Sequence, residues 1–326
     1  MITIDTIGQA YARLRGKHVL TPLLEYEHIN DLVGGRVLFK AENLQRTGSF
    51  KFRGAYNKIA SLDDRQRARG VVTFSSGNHA QGVAAAAKSF NIPATAVMPD
   101  DAPVLKIQNT RRLGAQVILY DRRTGDRRAI AENITQETGA IMVPPFDDEM
   151  VIAGQGTIGI EITEQLEAVR APADILLCPA GGGGLIAGVS TATRALTPTL
   201  DVYCVEPEEF DDTCRSLKRG ERVANEPGRT SICDAIVTQM PGELTFQINH
   251  ANLSGGFAVS DQQVGSAVNE LFEMTKLVVE PGGAVGFAAL RSGALALNGR
   301  TAVVILSGGN VDLVQFRKNF DMEMRN

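Results

Sequence analysis

Short runs of β-branched and apolar residues alternate along the chain with longer segments whose apolar residues have helical spacing. The runs GVVTFS, ATAVMP and QVILYD are each followed by a helix-like segment, and the pattern resumes after about residue 140 with DILLCPA, DVYCVEP and TAVVILSGG. Parallel strands need crossover helices of this kind between them. The pattern therefore predicts an α/β protein with two doubly wound domains, mostly parallel sheets and a cleft between the domains.

Polar and glycine-rich residues follow four of the predicted strands. SSGNH follows VVTF, GGGG follows DILLCPA, EP follows DVYCV, and SGGN follows TAVVIL. Ligands of parallel sheets bind beyond the carboxyl ends of the strands. Four such segments at one edge are more than folding requires, so they predict a binding site.

Composition narrows the class of protein. The chain has 326 residues, a net charge of -4 and a pI near 5.7, which suits two domains and argues against nucleic acid as the main partner. Its four cysteines lack metal-type spacing, and Cys178 and Cys204 lie in apolar runs typical of buried thiols. We find no signal-peptide pattern and no apolar run long enough to span a membrane. We expect a cytoplasmic protein that has no membrane partner and acts on a small molecule.

The stretch SFKFRGA places Lys51 between two phenylalanines at the start of a helix-like run. Taken alone, it fits an ordinary amphipathic helix with Ser49 as N-cap and Lys51 on the exposed side of the first turn. Only the rest of the chain favours a chemical role for this lysine.

The four glycines after DILLCPA form what we call the tetraglycine turn: Gly181, Gly182, Gly183 and Gly184. Such a turn lets backbone N–H groups close around an anion at a helix N-terminus, and phosphate is the best candidate. A dinucleotide is one alternative, because Gly182, Gly184 and Ala187 satisfy G-x-G-x-x-A and Glu206 ends the next strand. That alternative, an NAD(P)-dependent oxidoreductase, leaves SFKFRGA, SSGNHAQG and LSGGN without a function.

Pyridoxal 5′-phosphate accounts for all of these segments. It needs a lysine for its Schiff base, a phosphate cradle and a partner for its ring nitrogen. Lys51 between aromatic neighbours would have a lowered pKa, which favours imine formation. Ser307, at the end of the last strand, could meet the ring nitrogen as a neutral hydroxyl, which suits elimination better than transamination.

Together, SFKFRGA, SSGNHAQG, CPAGGGGLIAG and LSGGNVD resemble the serine/threonine dehydratase and serine racemase family of fold-type II pyridoxal-phosphate enzymes. The resemblance runs from about Thr21 to Leu313. It implies a tryptophan-synthase-β-like architecture and a homodimer. The large cofactor-binding domain would comprise residues 1–69 and 141–326, and the small mobile domain residues 70–140.

The resemblance also implies a role for each site residue. Lys51 would carry the cofactor and act as a base on one face of the substrate, with Ser76 on the opposite face. The cofactor-binding residues would be Phe50, Lys51, Asn78, Gly181, Gly182, Gly183, Gly184, Glu280 and Ser307. The substrate-binding residues would be Ser75, Ser76, Gly77, Asn78, His79 and Arg127.

The acidic stretch CVEPEEFDD resembles the divalent-cation loop of the same family. Glu206 and Asp212 would supply carboxylates and Phe210 its main-chain carbonyl, a set of oxygen ligands that suits Mg²⁺ or Ca²⁺, with Mn²⁺ a further possibility. A solvated acidic turn is the alternative for this stretch.

The reaction that the resemblance implies is β-elimination of water from L-threonine or L-serine to a 2-oxo acid and ammonia. Arg127 could bind a second substrate carboxylate, as in 3-hydroxyaspartate, although a solvated basic face explains its arginine-rich surroundings at least as well. Serine racemisation is a third possibility, because Ser76 could donate a proton opposite Lys51.

Overall fold

The computed structural model describes residues 1–323, which form an α/β fold with two separate sheets, as the alternating pattern predicts. The strands are β1 (Leu23–Glu25), β2 (Arg36–Lys40), β3 (Val71–Phe74), β4 (Ala94–Pro99), β5 (Gln116–Tyr120), β6 (Ile141–Met142), β7 (Ile175–Pro179), β8 (Asp201–Pro207), β9 (Gly255–Val259) and β10 (Thr301–Ile305). The helices are α1 (Ile4–Leu14), α2 (Glu27–Val33), α3 (Lys51–Ala60), α4 (Asp64–Ala68), α5 (Asn78–Ser89), α6 (Val104–Arg112), α7 (Arg127–Thr138), α8 (Glu149–Ala168), α9 (Gly184–Leu196), α10 (Asp212–Arg219), α11 (Glu243–Asn252), α12 (Asp261–Thr275), α13 (Pro281–Arg291) and α14 (Leu313–Glu323).

The larger sheet has the strand order β1-β2-β10-β7-β8-β9. Only the β1–β2 pair is antiparallel, and the other neighbours are parallel. Its central strands β7 and β10 are almost wholly buried, because apolar clusters cover both faces of the sheet. Because both faces of these strands are buried, their sequences are continuous apolar runs and do not alternate between apolar and polar residues.

The smaller sheet has the order β5-β4-β3-β6, and all of its described pairings are parallel. Most of its strands lie in residues 70–140, the segment predicted from the sequence to form a small domain. Strand β6 also pairs with β3, although it follows residue 140, where that segment ends.

Helix α3 packs against α5 and α8 and carries Lys51 at its first position. Its N-cap is Phe50, so the expectation that Ser49 caps the helix is wrong. Ser49 instead lies in an isolated bridge to Gly308, and its buried hydroxyl has no hydrogen-bond partner among the described residues. The bridge leaves Ser49 no geometry for capping and ties the start of α3 to the end of β10.

Four buried charged side chains hold α3 against α8 and β2. Arg53 pairs with Glu42 at 2.7 Å and with Glu161 at 2.6 Å, and Lys40 pairs with the same Glu161 at 2.6 Å. All four side chains are fully buried. Because Arg53 is two residues from Lys51, this cluster, here called the buried quartet, fixes the helix that presents the lysine.

The α-helices within residues 1–323 range from 5 residues in α4 to 20 residues in α8. None of them combines the length and the apolar character that crossing a membrane requires.

Candidate active site

The segments that follow β3, β7 and β10 line one cavity together with the start of α3. This cavity is lined by Phe50, Lys51, Asn78, the tetraglycine turn, Phe146, Ala235 and Ser307, among others. An adjoining cavity shares Lys51 and is lined also by Ser75, Ser76, His79 and Arg127. A backbone hydrogen bond of 3.1 Å from Phe50 N to Ser307 O holds the lysine segment at the end of β10.

Lys51 has the electrostatic environment of a reactive amine. Its Nζ donates a hydrogen bond of 2.7 Å to the carbonyl of Pro145 and lies 5.1 Å from the centre of the Phe50 ring. Burial lowers the pKa of Lys51 to about 8, with the charge of Glu280 opposing the shift. A substantial fraction of this amine is therefore neutral, and nucleophilic, near physiological pH.

Two carbonyls of the tetraglycine turn accept hydrogen bonds from side chains of α11, and the turn lines the cavity of Lys51. Thr245 Oγ1 donates to the carbonyl of Gly182 at 2.7 Å, and Asn249 Nδ2 donates to that of Gly183 at 3.3 Å. Gly183 has a φ of 87°, a left-handed conformation that favours glycine. None of the four N–H groups donates to another described residue outside α9. The turn has the form of an anion cradle at the start of α9.

These residues fit pyridoxal phosphate. The cradle supplies N–H donors for a phosphate, and Lys51 supplies an amine with a lowered pKa. Phe50 and Ala235 supply apolar walls, while the Ser307 hydroxyl supplies a neutral partner for a ring nitrogen. No carboxylate lines this cavity, so the described residues would not hold the ring nitrogen protonated.

Asn78 and Glu280 are adjacent, but Glu280 lies behind the cavity rather than in it. Asn78 Nδ2 donates to Glu280, and Asn78 Oδ1 accepts a hydrogen bond of 3.0 Å from Asn310. These two partners fix the orientation of the Asn78 amide, so Glu280 supports a predicted cofactor residue without lining the cavity of Lys51.

Lys106 is a residue that sequence reasoning missed. It lies on α6 with 2 % exposure, and its Nζ donates to Asp234 at 2.7 Å and to Glu280 at 3.2 Å. Its side chain packs against Gly77, where an added Cβ would meet Lys106 Cδ at 2.2 Å. Lys106 thereby joins the loop after β3 to the large sheet, a contact that no local pattern in a charged helix could reveal.

Phe146 was also missed. Its ring lies on Gly182, where an added Cβ would approach ring atoms to 2.2 Å, and it lines both cavities. Phe146 follows β6, so it lies beyond the carboxyl end of a parallel strand, as the other site segments do. Because β6 has only two residues, the sequence did not identify it as a strand.

His79 and Ser75 shape the loop between β3 and α5. His79 Nε2 donates to the carbonyl of Val143 at 3.0 Å, and burial lowers the pKa of His79 to about 3. The imidazole is therefore neutral and does not serve as a general acid. Ser75 Oγ accepts a hydrogen bond of 3.1 Å from Gly77 N, which holds the loop at the N-terminus of α5.

Arg127 lies at the mouth of the cavity that contains Lys51 and Ser76. Its guanidinium is 5.7 Å from the centre of the Phe74 ring and makes no ion pair with any other residue in the described part of the chain. The structure therefore brings Arg127 to the site as a half-buried cation that is free to bind an anion.

Glu206 and Asp212 form a second acidic centre, at the end of β8. Glu206 accepts hydrogen bonds from Thr213 N at 3.1 Å and Cys214 N at 2.8 Å. Asp212 Oδ1 accepts from Asn225 at 2.6 Å, while its buried Oδ2 has no hydrogen-bond partner within residues 1–323.

Burial raises the pKa of Asp212 to about 7 and also raises that of Glu206. Neither carboxylate forms an ion pair with a described cationic side chain, and both are fully buried. Such a pair fits a bound cation, because buried charges without a partner are costly. Phe210, the third predicted ligand, lies half-buried in the turn between them.

The same geometry argues against the dinucleotide alternative. The fingerprint needs Glu206 to be available for a ribose hydroxyl. Glu206 is instead fully buried, and its two oxygens accept the N–H groups at the start of α10.

Comparison with known proteins supports the cofactor assignment. A family model described as pyridoxal-phosphate dependent enzyme matches residues 15–308. The chain is 44% identical to an L-threonine ammonia-lyase of Thermotoga maritima, over 96% of this chain and 77% of that protein. It is 43% identical to an L-threo-3-hydroxyaspartate ammonia-lyase of Saccharomyces cerevisiae, over 91% and 89%. The solved structure of maize serine racemase is similar with a TM-score of 0.91 at 35% identity, over 99% and 98% of the two chains.

The chain therefore belongs to the pyridoxal-phosphate dependent enzymes, and its fold is of type II. Within that class its relatives include threonine and hydroxyaspartate ammonia-lyases and serine racemases. The predicted fold class, the predicted family and the predicted cofactor are confirmed.

Proposed function

We propose that this enzyme eliminates water from a β-hydroxy amino acid, L-threonine or L-serine, to give a 2-oxo acid and ammonia. The observation that carries the proposal is the position of Lys51. Lys51 lines one cavity together with Phe50, the tetraglycine turn and Ser307, and its Nζ is 5.1 Å from the centre of the Phe50 ring. The ammonia-lyases among the relatives support the same reaction class.

When bound, pyridoxal phosphate supplies an electron sink for negative charge that develops at the substrate Cα. The neutral Lys51 amine accepts the Cα proton, which its lowered pKa permits near neutral pH. The backbone N–H groups at the start of α5 bind the substrate carboxylate, helped by the helix dipole. Phe50 and Phe146 exclude water from the reacting atoms.

A second candidate substrate class is a β-hydroxy amino acid with a second carboxylate, such as 3-hydroxyaspartate. The unpaired Arg127 guanidinium favours it, because an ionised partner inside a half-buried cavity makes a strong hydrogen bond. A relative named for this substrate is 43% identical to the chain.

Replacing Arg127 with alanine tests the substrate class. Loss of a charged hydrogen bond worth about 1.5–3 kcal/mol should lower kcat/KM for threo-3-hydroxyaspartate about 10- to 150-fold and leave that for threonine almost unchanged. Arg128→Ala is the matched control, since Arg128 is exposed and pairs with Glu132. Equal effects of Arg127→Ala on both substrates would contradict the second candidate.

A third candidate activity is racemisation of serine, because Ser76 lines the cavity that contains Lys51. A donor at Ser76 would return a proton to the opposite face of Cα. We expect D-serine with deuterium at Cα to form from L-serine in D₂O, and this inverted product to be lost in Ser76→Ala. Recovered serine without deuterium would exclude racemisation.

We also propose that Glu206, Asp212 and the Phe210 carbonyl bind Mg²⁺ or Ca²⁺. The buried, unpartnered Asp212 Oδ2 supports this site. Asp212→Asn should abolish calorimetrically measured binding of either cation, whereas Asp211→Asn, whose carboxylate pairs with Arg215, should keep it. Undiminished Ca²⁺ binding by Asp212→Asn would refute the assignment.

The domain boundaries, the homodimer and the cytoplasmic location stay predictions.

A further inference from the structure

Two cysteines and a carboxylate meet in the interior beside the end of β8. The sulfur atoms of Cys204 and Cys214 lie 3.7 Å apart. A carboxylate oxygen of Glu206 joins them, and the three ligand atoms all lie within 4.8 Å of one another. We refer to these three residues as the thiol cluster. No disulfide joins the sulfurs, since all four cysteines of the chain are free.

The spacing of the cluster matches the ligand geometry of a thiophilic ion. Two thiolates bound to a tetrahedral Zn²⁺ at about 2.3 Å lie about 3.8 Å from each other. The observed sulfur separation is 3.7 Å, so little rearrangement is needed to bind an ion between them. Each Glu206 oxygen accepts one N–H and retains a free lone pair, which leaves the carboxylate able to serve as third ligand.

The local backbone is adapted to bring the two sulfurs together. Cys204 is on β8 and Cys214 is on α10, and both sulfurs pack against Gly256 on β9. A Cβ at position 256 would come within 2.3 Å of the Cys204 sulfur and 2.6 Å of the Cys214 sulfur. Any other residue at this position would force the thiols apart.

The cluster differs from the proposed Mg²⁺ or Ca²⁺ site in its chemistry, although both use Glu206. Hard cations take oxygen ligands, whereas thiolates select Zn²⁺, Cd²⁺ and similar soft ions. Asp212 and Phe210 contribute no atom to the thiol cluster. Because both sites use the Glu206 carboxylate, occupancy of one disturbs the other.

We propose that Cys204, Cys214 and Glu206 bind one thiophilic divalent cation per chain, with water completing a tetrahedral shell. Binding converts the two thiols to thiolates and releases their two protons to solvent, together with the proton of any Glu206 carboxyl that is not ionised, while the ion gains two sulfur bonds and one carboxylate bond. No change in oxidation state is involved. The proposal is independent of the reaction that the enzyme catalyses.

Cadmium titration of the reduced, metal-free protein tests the proposal. We expect one equivalent of Cd²⁺ to produce the ultraviolet thiolate-to-cadmium charge-transfer band and to release at least two protons, measured with a pH indicator. Both signals should be lost in the double variant Cys204→Ala/Cys214→Ala. Cys233→Ala is the matched control, because Cys233 is buried on the opposite face of the sheet and should leave both signals unchanged.

If the double variant fails to fold, the proposal can still be tested on the unsubstituted protein. X-ray absorption of the cadmium-loaded protein should show two sulfur neighbours. Absence of the band, release of fewer than two protons, or a cadmium shell without sulfur would overturn the proposal. A band that persists in the folded double variant would overturn it as well.

Discussion

Replacing Lys51 with alanine should abolish turnover of every β-hydroxy amino acid that the enzyme accepts. The variant lacks both the amine that carries the cofactor and the base that removes the Cα proton. A general base alone contributes up to about 10⁴-fold, so we expect a loss of at least that size. The turnover rate is measured as the rate at which the 2-oxo acid forms, monitored by a coupled reduction.

The control for this substitution lies on the same helix. Lys58 is also on α3, but it pairs with Asp148 outside both cavities, so Lys58→Ala should retain turnover. The visible band of the lysine-bound cofactor should be absent in Lys51→Ala and present in Lys58→Ala. Appreciable turnover by Lys51→Ala would remove the basis of the proposed function.

The parts of the site that follow strands could be predicted from the sequence, because each is a short, local signal. The tetraglycine turn and Ser307 both follow apolar runs long enough to be identified as strands. The parallel-sheet rule then places them at one edge without any knowledge of side-chain contacts. Lys51 could be placed only through the other segments and the family resemblance that they carry, because its local sequence also fits an exposed helix turn.

The remaining contacts join residues that are distant in the sequence and have no local signature. Lys106 is 128 residues from Asp234 and 174 from Glu280, and it looks like an exposed lysine on a polar helix. Cys204 and Cys214 are closer in sequence, but their sulfurs meet only because Gly256 on a third element gives them room. Burial of charge and convergence of thiols are properties of packing, which periodicity does not encode.

Disrupting the buried quartet should lower the free energy of unfolding more than any other substitution considered above. Substituting Glu161 with glutamine leaves Lys40 and Arg53 with one carboxylate fewer in a site that no water reaches. Breaking a buried ion pair by neutralising one partner costs about 3–5 kcal/mol. We therefore expect Glu161→Gln to lower the free energy of unfolding by about that amount, measured by urea denaturation and far-ultraviolet circular dichroism.

The acid dependence of stability gives this prediction a second readout. Burial alone would raise the pKa of Glu161, but its hydrogen bond to His18 and its pairing with Arg53 and Lys40 hold that pKa below its ordinary value. A carboxylate with a lowered pKa stabilises the fold above its unfolded pKa of about 4.3, and this contribution is lost as the pH falls. The wild-type protein should lose stability below about pH 4, and Glu161→Gln should show a weaker dependence there.

A surface pair separates the effect of burial from that of charge. Glu132 pairs with Arg128 across one turn of α7, and both side chains are exposed, so Glu132→Gln should change the free energy of unfolding by about 0.5 kcal/mol or less. Because the two substitutions are chemically identical, the difference between them measures what the interior adds to one ion pair. If Glu161→Gln were as mild as Glu132→Gln, the buried quartet would not be what holds α3, and with it Lys51, in place.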